Sequence, residues 1–183
     1  MIKKINILPP PNSRKTIQVW IDDLGSLKES ERLKARSSLI REGANAVSPL
    51  IHELSNSNSR ARWESAKALA AIKDPSAAPA LVHTLTDEDH DVRWAAMQAL
   101  IVFDRAGLEP LLQALMRDFD SARLRVGVHH ILNVLKKKKY LRQPCLNVLQ
   151  ALEGIEPGVT VPWAAEAAWE SLFGPKKSDG FEK

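Results

Sequence analysis

The sequence predicts an all-α fold, a right-handed α-α superhelix of about five stacked helix pairs. Three observations predict it. The chain repeats itself every 30–32 residues, the period at which two-helix units stack into a solenoid. Within each repeat, apolar residues fall at the i, i+3, i+4, i+7 spacing of a helix face. Strand-favouring residues are thin: there is one Tyr, Thr occurs only as Thr16, Thr84, Thr86 and Thr160, and Val, Ile and Thr are massed nowhere.

The repeat can be followed residue by residue. The stretch LIHEL at 50–54 returns as LVHTL at 81–85, 31 positions later. Arg62-Trp63 returns as Arg93-Trp94 and Ala68-Leu69 as Ala99-Leu100, at the same offset. Arg32 and Leu39 precede Arg62 and Leu69 by 30 residues, and Arg125 and Leu132 follow Arg93 and Leu100 by 32. Leu111, Leu112 and Leu115 continue the first-helix pattern.

Each unit predicts a first helix, a polar break and a second helix. The first pair is placed at 14–25 and 28–42. In the second, at 46–56 and 59–73, Leu50, Ile51 and Leu54 mark one helix. The break SNSNS follows, and Ala61, Ser65, Ala66, Ala68, Leu69 and Ile72 mark the other. In the third, at 76–86 and 89–104, the break TDEDHD offers Asp87 or Asp89 as an N-cap, its acids suiting the helix dipole. Val92, Ala95, Ala96, Ala99, Leu100 and Phe103 then form the apolar face, and the small Ala residues allow helices to approach to about 8 Å. Pro75 and Gly107 punctuate the passage from one unit to the next. The fourth pair is placed at 107–118 and 121–136, the fifth at 138–152 and 162–173. The fifth departs from the pattern: its second helix is expected to start after Pro162, carries Trp163 and Trp169, and has no Arg at the repeated position. Such a unit reads as a terminal cap. Residues 1–13 and 174–183 read as flexible tails around a repeat domain at 14–173, about 50 Å long at ~10 Å per pair.

Composition narrows the function classes. Hydrophobic residues make up 44% and charged residues 26%, a globular balance. No apolar run approaches the roughly 18 residues of a membrane-spanning helix. The opening MIKKINILPPP is too short for a secretory signal. Cys145 stands alone, which excludes an internal disulfide and a Cys-based zinc site and points to a reducing, cytoplasmic setting. The net charge is +4, but residues 79–109 carry two bases and six acids while residues 1–47 carry nine and five. A single basic face for phosphate is not legible in that distribution.

The 31-residue period, the paired helices and the string DVRWAAMQAL resemble a HEAT-repeat protein, more narrowly the short HEAT-like repeats named for phycobilisome lyases. The resemblance covers about 14–173. It implies that the repeated Arg32, Arg62, Arg93 and Arg125 pair with an acid near the start of the second helix, for which Asp89 or Asp91 is available. It also implies that the residue after each Arg, and the position four further on, look out from the concave surface. Those positions hold Leu33 and Ser37, Trp63 and Lys67, Trp94 and Gln98, Val126 and His130. They vary between repeats, whereas the inward set does not. Trp63 and Trp94 would then lie about 9–11 Å apart on neighbouring helices. They are rimmed by Arg60, Glu64, Lys67, His90, Asp91 and Gln98. Two readings stay open: the rings contact a partner, or they fold down and fill space between repeats.

Catalytic and metal patterns fail on inspection. His52-Glu53 opens like H-E-x-x-H, but Asn56 stands where the second His belongs. The acids of 87–91 mimic half a calcium loop, but Val92 replaces its Gly and Gln98 its closing Glu. His52 and His83 share a register without a third ligand, and His129 and His130 point about 100° apart on a helix. Lys136–Lys139 suits a helix C-terminus. No nucleotide-binding or nucleophile-elbow motif is present. No catalytic residue, metal or cofactor is therefore expected. The expected function is a non-catalytic scaffold binding a protein or peptide on the concave face. Trp63 and Trp94 would anchor it, with Lys67, Gln98, Glu64, Arg60 and His130 around them. The alternatives are a bilin lyase-like accessory protein, or a nucleic-acid-binding protein similar to HEAT-like alkylpurine DNA glycosylases. Nucleic acid is disfavoured by the acidic third repeat, and no membrane contact is expected.

Overall fold

The computed structural model describes residues 13–175. The expected tails at 1–13 and 174–183 therefore lie outside the described residues, except that Ser13 already belongs to the first helix and Gly174 and Pro175 follow the last. Ten α-helices and no strand occur among the described residues. They are α1 Ser13–Asp23, α2 Glu29–Glu42, α3 Ala44–Glu53, α4 Ser59–Ile72, α5 Ala78–Thr84, α6 His90–Phe103, α7 Leu108–Arg117, α8 Ala122–Lys137, α9 Gln143–Leu152 and α10 Pro157–Phe173. Short 3₁₀ turns at Pro75–Ala77 and Asp104–Gly107 lead into α5 and α7. None of the described helices is long and apolar enough to cross a membrane.

The helices form two layers. The second helices pack in series, α2 on α4, α4 on α6 and α6 on α8. The first helices form the other layer, α1 on α3 and α5 on α7. Between them, Leu39, Leu69, Leu100 and Leu132 occupy one register position per repeat, and all four are buried. Truncating a leucine in such a continuous core costs about 2–5 kcal/mol. The helices approach closely here: a Cβ on Gly127 of α8 would stand 3.4 Å from a methyl of Leu85, in van der Waals contact.

Caps recur with the same period. Asn58, Asp89 and Ser121 each accept a backbone N–H in the first turn of α4, α6 and α8, so Asp89 is the cap. At the other end, α2, α4 and α6 stop at Gly43, Lys73 and Asp104, all with positive φ. Lys139 takes the same kind of backbone just after α8.

The last pair corrects the expectation. α10 begins at Pro157, not after Pro162, and Pro162 lies within it. A proline in the first turn has no helical partner to lose, and the N–H groups of Val159 and Thr160 close onto the Glu156 carbonyl. α9 begins at Gln143 rather than near 138, because Lys138–Arg142 forms a turn in which the Tyr140 N–H bonds the Leu135 carbonyl. The layers also exchange. α10 packs on α7 in the first-helix layer, while α9 packs on α8. By burying Val161, Ala165 and Ala168, the longer α10 closes the end of the layer to which α7 contributes Leu111, Leu112 and Leu115.

Candidate binding face

The repeated arginines form a ladder along the loop edge. Each turns back to the break of its own repeat. Arg32 Nη1 donates to the carbonyls of Ser26 and Leu27, Arg62 Nη1 to those of Asn56 and Ser57, and Arg93 Nη1 to those of Asp87 and Glu88. Arg125 does the same to Phe119. The acid partner expected from the resemblance is neither Asp89 nor Asp91. Arg62 is held bidentately by Asp87 of the next repeat, at 2.8 and 2.9 Å. Asp89 is consumed as the cap of α6, donated to by the N–H groups of Asp91 and Val92, which holds its carboxyl below the usual range. Asp91 is exposed beside His90. Neighbouring breaks are also stitched together, the Asn58 amide donating to the Gly25 carbonyl at 3.0 Å. The ladder ties each second helix to its own break, and Arg62, through Asp87, also ties one repeat to the next.

With the arginines turned toward the breaks, the residue after each one stands on the outer face of α2, α4, α6 and α8. Leu33 is 41% exposed, Trp94 45% and Val126 67%. Trp63 is half-buried and packs against the core. The two indoles therefore differ. Trp63 is covered on one face by the Lys67 ammonium, 3.8 Å from the ring centroid. Burial and the nearby Arg36 charge push the Lys67 ammonium below its usual range. Trp94 meets His130 across α6 and α8, with centroids 5.1 Å apart and planes inclined by 52°. That contact covers one side of the ring and leaves much of it open.

The remaining expected residues divide. Arg60 is exposed and Gln98 and His130 are half-buried on this face. Glu64 is not on it: the side chain is 1% exposed and clasped by Arg36, with Arg32 Nε at 3.5 Å. Its register position is buried in the following repeats too, as Ala95 and Gly127, and two arginines from α2 converge on the carboxylate there. Trp163 is 71% exposed but sits on α10, in the other layer. Among the described residues no group of three or more His, Cys, Asp or Glu side chains could hold a metal.

Two features carry no repeating signal. Arg36 is replaced at the equivalent positions by Ala66, Met97 and His129. His129 in turn reaches Glu153 after α9, at 3.3 Å. These two line a groove of about 460 Å³ with Ala122, Arg125, Val126 and Leu152, at the end of the apolar row.

A family model for HEAT repeats matches residues 24–101 and again residues 47–128. No curated protein matches the chain.

Proposed function

The chain belongs to the HEAT-repeat family, and from that premise we propose that it is a non-catalytic scaffold that binds a partner protein or peptide on its concave surface, across the outward-looking side of α2, α4, α6 and α8. HEAT repeats serve generally as protein-interaction scaffolds. The observation that carries the reading is the row Leu33, Trp63, Trp94 and Val126, with Trp94 open to solvent at 45%. An indole offers roughly 150–250 Å² for burial. Truncating an aromatic anchor at an interface commonly costs about 2 kcal/mol or more. Trp94 is the primary anchor. Trp63, under its lysine, is the secondary one. Arg60, Lys67, Gln98 and His130 supply polar contacts at the rim, and Glu64 serves as a positioning residue beneath it.

Quantitative affinity capture tests this. Wild-type protein, Trp63→Ala/Trp94→Ala and a control altered on the opposite layer, His52→Ala/His83→Ala, are compared at equal helicity. The reading expects a protein captured by wild type and control and lost from the tryptophan variant. Capture that survives in the tryptophan variant would contradict it.

A further inference from the structure

We propose that the segment recognised across this face is acidic: a stretch of chain that lays an apolar side chain on Trp94 and sets carboxylates against Arg60, Lys67 and Arg123. The inference rests on the binding reading above and adds the chemistry of the occupant.

The charge on the face carries it. The second helices carry Lys34 on α2, Arg60 and Lys67 on α4, and Arg123 on α8; Lys34 shares the register of the buried Glu64, Ala95 and Gly127 but is exposed on the first repeat. Lys34, Arg60 and Arg123 are exposed and form no salt bridge among the described residues. Arg123 donates to the Thr86 carbonyl, at 3.4 Å, and keeps its charge uncompensated. Lys67 rests on an indole instead of a carboxylate. Burial and the Arg36 charge already disfavour its ammonium, a cost that an arriving carboxylate would relieve. Two of the six acids at 79–109 are spent elsewhere. Asp87 holds Arg62 and Asp89 caps α6, both on the loop edge. Glu64 is buried under two arginines. Asp91 is an exposed acid at the register of Arg60 and Arg123, and the exposed Glu29 on α2 acts on Lys67. The face is thus an apolar row beside cations that form no salt bridge among the described residues, and an acidic segment with an apolar residue is its electrostatic complement.

The spacing sets a pattern. Neighbouring helices in a layer stand about 8–10 Å apart, and an extended chain advances about 3.3–3.6 Å per residue. A segment crossing the helices therefore passes one repeat roughly every three residues. Arg60 on α4 and Arg123 on α8 flank Trp94 on α6. The matching sequence has two Asp or Glu about six residues apart with a Leu, Phe or Trp midway between them.

A random dodecapeptide library displayed on phage tests this when selected in parallel on three proteins: wild type, Trp63→Ala/Trp94→Ala and Arg60→Glu/Lys67→Glu/Arg123→Glu, with helicity matched by circular dichroism. The single variants Arg60→Glu and Arg123→Glu, at exposed positions, replace the triple variant should it lose helicity. Wild type should enrich acidic peptides with a central apolar residue by at least tenfold. The tryptophan variant should lose them, and charge reversal should turn selection toward Lys and Arg. A neutral or basic pool that still needs the tryptophans would overturn the acidic occupant and leave the binding face standing. A pool indifferent to the tryptophans, or no pool at all, would overturn the binding face itself. Salt-steep binding of a 20-base-pair DNA duplex that needs Arg60, Lys67 and Arg123 would overturn the inference in favour of nucleic acid.

Discussion

Glu64 on α4 and Arg36 on α2 form an ion pair between the first two repeats, and the carboxylate is 1% exposed. Arg32 completes the clasp from the same helix. Removing one partner from a buried pair leaves a charge without compensation. Glu64→Ala should therefore cost about 3 kcal/mol and lower Tm by roughly 6–12 °C. Arg36→Met combined with Glu64→Leu should recover at least half of that loss. Thermal unfolding followed by circular dichroism measures both. An unchanged Tm for Glu64→Ala would show that the pair contributes nothing.

Arg62 joins two carbonyls of its own break to the Asp87 carboxylate of the next, and lysine cannot reproduce that fork. Arg62→Lys should cost about 1–2 kcal/mol and Arg62→Ala about 3 kcal/mol in urea unfolding. Equal stability of wild type and the lysine variant would remove Arg62 as a link between repeats.

Asp104 ends α6 with φ 58° and ψ −123°, a region that side chains avoid, while its counterpart Gly43 ends α2 with nearly the same angles. Asp104→Gly should stabilise the protein by about 1 kcal/mol, because glycine adopts this backbone freely. Lys73, at φ 62° and ψ 30°, lies in the ordinary left-handed region, and Lys73→Gly should gain less. The two Tm shifts decide the order.

Burial raises the Glu53 carboxyl above its usual range, against the opposing hydrogen bond from Asn56. The folded state therefore binds this proton more tightly than the unfolded chain. Its contribution to stability falls as pH rises from the unfolded value through the folded one. Glu53→Gln should raise Tm by roughly 1–3 °C at neutral pH, and the difference should vanish as pH falls into the ordinary carboxylate range. A difference that grows with acid would reverse the assignment.

The first four pairs were legible because a solenoid repeats its physics. Leu39, Leu69, Leu100 and Leu132 share one buried position, and Arg32, Arg62, Arg93 and Arg125 share one backbone target. What occurs once was not legible. Glu64 shares its register position with the buried Ala95 and Gly127, and only there do Arg32 and Arg36 hold a carboxylate between the stacked second helices. The exchange of α9 and α10 between layers is set by long-range packing on α7 and α8. The periodic pattern has no information there, and Pro162 misdirected the start of α10. Even within the repeats, the charge sum does not show where the acids lie. Asp87 and Asp89 make the third unit acidic on paper but are turned to the loop edge by Arg62 and by the α6 N-terminus.

Hydroxyl-radical footprinting of the tryptophans, with and without a saturating peptide from the library selection, tests the binding face most directly. Trp163 on the other layer is the internal reference, being 71% exposed. The account predicts that oxidation of Trp94 drops severalfold on binding and that of Trp63 by less, while Trp163 reacts as before. Protection of Trp163 with Trp94 left open would contradict it.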